Sequence, residues 1–203
     1  MQEQELDYTA QITSIPRNYL PGNFKITDWN SLEPFLKELL DRPMPTKEEL
    51  EKWLRDVSEV EAVIGEDAAW RQIKMTCDTE NKALEEAFTF FVMEIQPKIQ
   101  PYADKLNRKL VDNQYTSQLS GDAYKVYLRN VKKNIELFRE ENIPLQADIS
   151  VLAQQYAVIS GKMSVEVQGR EYTLQQAAKF LENPDRQLRE EVYHKINQRR
   201  SKD

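Results

Sequence analysis

The chain has 203 residues, of which 31% are charged and 40% hydrophobic, with only 5 glycines. That profile fits a helix-rich chain large enough to bury its own core and excludes a β-sandwich or a disordered tail. With 34 acidic against 28 basic residues and a net charge of -6, the surface repels phosphate backbones and anionic lipid, so neither nucleic acid nor membrane is expected as a partner.

No stretch approaches the ~20 apolar residues of a membrane span. The N-terminal run MQEQELDYTAQITSIP has neither a basic n-region nor an apolar h-region, and a cytoplasmic protein is expected. Cys77 is the only cysteine; it excludes an intramolecular disulfide and reads as a small buried apolar residue.

Residues 1–29 read as an extended arm broken by Pro16, Pro21 and Gly22. Ile15, Tyr19, Leu20, Phe24 and Ile26 are expected to lie along a helical body. A first helix is predicted from Asn30, with Asn30-x-x-Glu33 as capping box and Leu32, Phe35, Leu36, Leu39 and Leu40 as its core face. Thr46-x-x-Glu49 opens a second, carrying Leu50, Trp53, Leu54, Val57, Val60 and Ile64, with Gly65 as the expected stop.

From Asp67 the helical pattern resumes through Trp70 and Ile73. A long seam then follows from Leu84 to Leu110, with Pro97 and Pro101 inside it; the helix kinks there or two helices abut.

Ser120-Gly121 restarts the pattern through Tyr124, Tyr127, Leu128, Val131, Ile135 and Phe138, ending near Asn142. Pro144 begins a helix in which Leu145, Ile149, Leu152, Tyr156 and Ile159 share a stripe, with Gly161 as C-cap. Met163, Val165 and Val167 then alternate with polar residues before Gly169, the pattern of a β-hairpin near 163–172. Thr173-x-x-Gln176 caps a short helix, and Asn183-Pro184 is expected to cap the last one, with Leu188, Val192 and Ile196 on one face. That helix runs into NQRRSKD without a glycine stop and reads as cut.

The fold class is therefore mainly α: antiparallel helices including a long proline-kinked one, with one small hairpin. The expected parts are the arm over 1–29, a helical hairpin region over 30–112, and a helical region with the hairpin over 113–203 that ends on the cut helix. An isolated two-stranded hairpin is marginal in water, so its Met163, Val165 and Val167 face is expected to dock on a part that lies beyond the cut helix. Burial of three such side chains would stabilise the contact by roughly 5 to 8 kcal/mol before ordering costs.

Catalytic chemistry finds little to work with. A His-Glu-x-x-His zinc site needs two histidines one turn apart, and His194 is the only one. It lies opposite the Leu188, Val192, Ile196 line and reads as a solvated surface residue. Glu191-Val-Tyr-His194 has the spacing of a carboxylate-bridged di-iron motif, which would require a second such motif and two more inward glutamates.

A nucleophilic triad lacks a base, and no phosphate-cradling glycine loop appears. Arg186, Arg189, Lys195, Arg199, Arg200 and Lys202 read as a solvated face with ordinary dipole partners at a helix end. Trp53, Trp70, Phe88, Phe90 and Phe91 read as core, with a groove as the alternative. No catalytic, cofactor-binding or metal residue is assigned.

The segments PGNFKITDW, EAVIGEDAAWRQIKMTCDTEN, LFREENIPL and, most specifically, AVISGKMSVEVQGREYTLQQAAKFLENPDRQLREEVYHKINQRR resemble the N-terminal part of the oligoendopeptidase F family, zinc metallopeptidases related to thimet oligopeptidase. The resemblance implies a catalytic region beyond Asp203 carrying His-Glu-x-x-His and a further glutamate ligand. It implies zinc there and none in this chain, with the catalytic half of the same polypeptide as partner and short peptides as substrates. This segment would cover the cleft and limit substrate size. The alternative is a free-standing helical module that binds a peptide or protein without enzymatic activity.

Overall fold

A computed structural model describes residues 16–79 and 81–202. It is mainly α, with one two-stranded antiparallel sheet among the described residues. Two compact units divide the chain: the described residues up to Ala69 together with Lys98–Phe138, and Trp70–Pro97 together with the described residues from Arg139 onward. No helix among the described residues is long and apolar enough to cross a membrane.

In the first unit the arm buries Leu20 and Ile26 completely enough to count as core, and Tyr19 and Phe24 pack edge-on against Phe35. Ile15 lies outside the described residues. The arm is pinned by Glu59, whose carboxylate accepts the backbone N–H groups of Asn18 (2.8 Å), Tyr19 (3.1 Å) and Leu20 (2.7 Å).

Helix α1 spans Trp29–Asp41 and starts earlier than Asn30-x-x-Glu33 suggests. The cap is Asp28, which accepts from the Ser31 N–H at 2.8 Å while the Ser31 hydroxyl accepts from the Asp28 N–H. An aspartate oxygen on a short side chain reaches the free first-turn donors directly. Glu33 is drawn elsewhere, accepting the Tyr102 hydroxyl at 2.8 Å and pairing with Lys37 at 3.1 Å.

Helix α2 spans Lys47–Cys77 and starts as the sequence indicates: Thr46 Oγ1 accepts the Glu49 N–H at 3.2 Å and donates to its carboxylate at 3.0 Å. Leu50, Trp53, Leu54, Val57 and Val60 are buried. The helix does not stop at Gly65. Glycine inside a helix costs only about 1 kcal/mol, and a glycine stop needs the left-handed backbone that Gly121 and Gly169 adopt and Gly65 does not. Cys77, at the helix end, is exposed and not buried as expected.

The proline-bearing seam is one helical run with a wide turn in it. Helix α3 (Lys82–Phe90) passes through a π turn at Phe91–Ile95 into α4 (Gln96–Asp112). There the Gln96 N–H bonds to the Phe91 carbonyl, five residues back. Pro97 offers no N–H to Met93 and its ring crowds that carbonyl, so a wider turn just before it relieves the clash. Pro101 remains inside α4. Further along α4, the Lys109 ammonium caps the end of α1, donating to the carbonyls of Leu39 (2.9 Å), Leu40 (2.5 Å) and Arg42 (2.6 Å).

Helix α5 spans Asp122–Leu137, ending short of Asn142 because Phe138 turns to extended backbone. Helix α6 spans Asn142–Gly161. Pro144 is its third residue, where the missing N–H would have no helical partner in any case. Its C-cap is Lys162 in helical conformation, so Gly161 is the last helical residue and not a left-handed cap.

Strands β1 (Ser164–Val167) and β2 (Arg170–Thr173) pair antiparallel, with Val165 opposite Tyr172. The turn places Gln168 at φ 50° and Gly169 at φ 75°, the left-handed pair of a tight hairpin whose twist matches the strands. Thr173 and Gln176 form the expected capping box on α7 (Leu174–Ala178). Helix α8 (Arg186–Arg200) is capped by Asp185, while Asn183 accepts the Asp185 N–H at 2.9 Å one step earlier.

Candidate functional site

The hairpin does not wait for a partner. Met163, Val165 and Val167 are 8%, 9% and 0% exposed, and with Leu174, Ala177, Leu188, Val192 and Ile196 they form one buried cluster. The faces of β1, α7 and α8 thus close on one another, and Tyr172 meets Phe180 edge-on at 5.1 Å over that cluster. Lys195 on α8 donates to the Glu166 carbonyl at 2.7 Å. The expectation of an exposed hairpin face is overturned: α8 supplies the cover within this chain.

The uncovered surface lies on α6 instead. Leu145, Ile149, Leu152, Tyr156 and Ile159, the stripe read from the sequence, are 57%, 63%, 62%, 72% and 52% exposed. The helix buries its other side, through Ile143, Ala147 and Gln154, and the Gln154 amide donates to Glu85 at 3.0 Å. Both faces are apolar, which is the composition of a helix covered on all sides. Asp148 is the only charged residue between Asn142 and Gly161. A contiguous stripe of this kind on an otherwise charged protein marks an interaction surface.

The sequence carried the signal, since Ile143, Ala147, Val151 and Val158 also recur at helical spacing. Periodicity could not choose between two faces that both repeat at helical spacing. Burial followed the face with the smaller and more polar residues, because Gln154 finds a carboxylate there.

The other residues weighed for chemistry are accounted for locally. His194 is exposed and stacks edge-on with Tyr193 at 5.7 Å, and Glu191 pairs with Lys195 at 2.6 Å. Trp53 is 1% exposed and its indole N–H donates to the Leu39 carbonyl at 2.8 Å. Phe91 is buried under the Arg71 guanidinium at 5.5 Å, Trp70 and Phe88 are half-buried, and Phe90 is exposed. Arg189 donates to the carbonyls of Asn183 and Pro184 at 2.6 and 2.9 Å.

Two surface hollows of about 400 Å³ lie on the second unit, one lined by Glu171, Tyr172, Gln176, Lys179 and Phe180, the other by Leu181, Arg186, Arg189, Glu190 and Tyr193. Most of these residues are exposed, unlike the enclosed apolar pockets that hold small ligands. Among the described residues no three of His, Cys, Asp and Glu stand close enough to hold a metal ion.

One polar network is buried in the first unit. Asp56 is 6% exposed and takes a charge-assisted bond from Arg42, which also pairs with Glu38 at 2.6 Å. Burial pushes the Tyr19 hydroxyl well above its ordinary range, and the hydrogen bond it donates to Glu38 at 2.7 Å pushes the same way. Tyr102 is likewise raised by burial, to about 12. Neither phenol is poised to ionise near neutrality, and the network ties the arm, α1 and α2 together without an open reactive group.

No curated protein and no solved structure matched this chain. Residues 21–138 match the family described as the Peptidase M3 N-terminal domain. That stretch runs from the end of the arm through α5, and neither the α6 face nor the hairpin is part of it. It covers more than half of the 203 residues, and the chain belongs to the Peptidase M3 N-terminal domain family.

Proposed function

We propose that this chain is the non-catalytic N-terminal segment of a zinc-dependent oligoendopeptidase of the F type, cytoplasmic, that hydrolyses peptide bonds in short peptides. The family match over residues 21–138 carries the reading. The segment covers the cleft of the catalytic half of the same polypeptide and limits the size of the peptides that enter. A tightly braced helical body suits that task, because a wall that excludes folded proteins has to hold its shape.

Zinc does not fit the residues present. His194 is the only histidine, it is exposed, and its nearby Glu191 is committed to Lys195. Polarisation of water and carbonyl by the metal belongs to the catalytic half, and no step of it runs through these side chains.

The experiment is to incubate the purified chain with zinc and quenched-fluorescent oligopeptides. No turnover above buffer is expected; turnover abolished by a chelator would contradict the reading.

A second reading, a helical binding module without enzymatic activity, is favoured by the uncovered α6 face. Saturable calorimetric binding of an amphipathic helical peptide, lost in Leu152→Glu, would support it.

A further inference from the structure

The exposed residues of α6 follow a stricter rule than helical periodicity. Leu145, Ile149, Leu152, Tyr156 and Ile159 are separated by four, three, four and three residues, the alternation of a heptad seam. Leu145, Leu152 and Ile159 hold the d positions and Ile149 and Tyr156 the a positions. An apolar seam at this spacing is shaped to receive another helix.

We propose that α6 pairs antiparallel with α6 of a second copy of this chain, forming a two-fold symmetric dimer. The charges choose that occupant. Two charged residues flank the seam, Asp148 within the helix and Lys162 at its C-cap, both exposed and both at g positions. Neither forms an ion pair among the described residues.

In an antiparallel pair the g positions of the two helices face each other. Centring the two-fold at the level of Gln154 stacks Ile149 on Ile159 of the second copy and Leu152 on its Tyr156. The same register sets Asp148 beside Lys162 of the second copy, and symmetry repeats the pair at the other end. The apolar layers and the charge pairs therefore demand one common centre, and a two-fold contact must be self-complementary in this way.

The remaining flanking positions, Gln146, Ala153, Gln155 and Ser160, are uncharged, as the depletion of charge at interface centres requires. A single helix face is small for a dimer interface, so the association is of the weak class. Its ion pairs set register more than affinity.

The test is sedimentation velocity on the full chain across micromolar concentrations. The expected result is a reversible species of twice the 23.9 kDa chain mass. Leu152→Glu should convert it to monomer with unchanged helical circular dichroism, because that side chain is 62% exposed and its replacement disturbs no core. Asp148→Lys and Lys162→Asp should each weaken the dimer by about tenfold, and the double exchange should restore it to within about twofold.

A chain that stays monomeric up to hundreds of micromolar overturns the proposal, on the order of the weakest specific dimers. So does a dimer indifferent to Leu152→Glu, or a double exchange no better than either single one. None of these results bears on the family reading, which places nothing on α6.

Discussion

Glu59 illustrates how one side chain can decide where a segment lies. Three successive backbone N–H groups converge on its carboxylate, and no apolar contact could replace them without leaving those donors unpaired. Glu59→Ala should cost about 1 to 3 kcal/mol in urea unfolding, on the scale of hydrogen bonds to a charged group.

The same carboxyl predicts a pH effect. Partial burial opposes ionisation, but the backbone donors outweigh it and hold the group below its ordinary value of 4.5. A lowered folded-state value means the unfolded chain binds the proton more readily, so the contribution is present above about 4.5 and is lost as pH falls through the lower native value. Wild-type unfolding midpoints should decline through that acid window, and Glu59→Gln should flatten the decline.

Arg42 and Asp56 make the complementary case, a buried charge that needs its partner. Arg42→Met should cost about 3 to 5 kcal/mol, because it strands a carboxylate that is 6% exposed. An equally large loss in Arg42→Met with Asp56→Asn would show that the pair is not the cause.

At the scale of elements, the hairpin face expected to be open is closed within the chain, and the open apolar face lies on α6. The hairpin was legible as a hairpin, since alternation over Met163, Val165 and Val167 and a glycine in the turn specify strand and register. Its cover was not legible, because periodicity along α8 shows that Leu188, Val192 and Ile196 face a core but not which core. The caps divide in the same way: Thr46 and Thr173 were readable because each had its Glu or Gln three residues on, whereas Asp28 was masked because a serine, Ser31, serves as the return acceptor.

Two measurements follow for the hairpin. Gln168 holds φ 50° at the first turn position, so Gln168→Asn should raise stability by about 0.5 to 1 kcal/mol. Val167→Ala should lower it by about 2 kcal/mol, since the side chain is fully buried. Hydrogen exchange should find the β1 and β2 amides as protected as those of α8; fast exchange there would mean the cluster does not hold.

For the molecule as a whole, no catalytic side chain was assigned from sequence, and the described residues assemble in ways that consume their polar groups. Glu33, Glu38, Asp56, Glu59 and Lys109 are all engaged in bracing contacts. That engagement supports the proposed role of a rigid segment, in which activity would come from the catalytic half. The resemblance and the family match agree on the kind of protein, although the run from Ser160 to Arg200 that looked most specific lies beyond the matched residues 21–138.

The most direct test of that account is to read the coding sequence in frame beyond the codon for Asp203. The account predicts a His-Glu-x-x-His motif followed by a helical segment with a further glutamate, the ligand set that this chain lacks. A stop codon directly after Asp203 would contradict it and leave a free-standing helical protein.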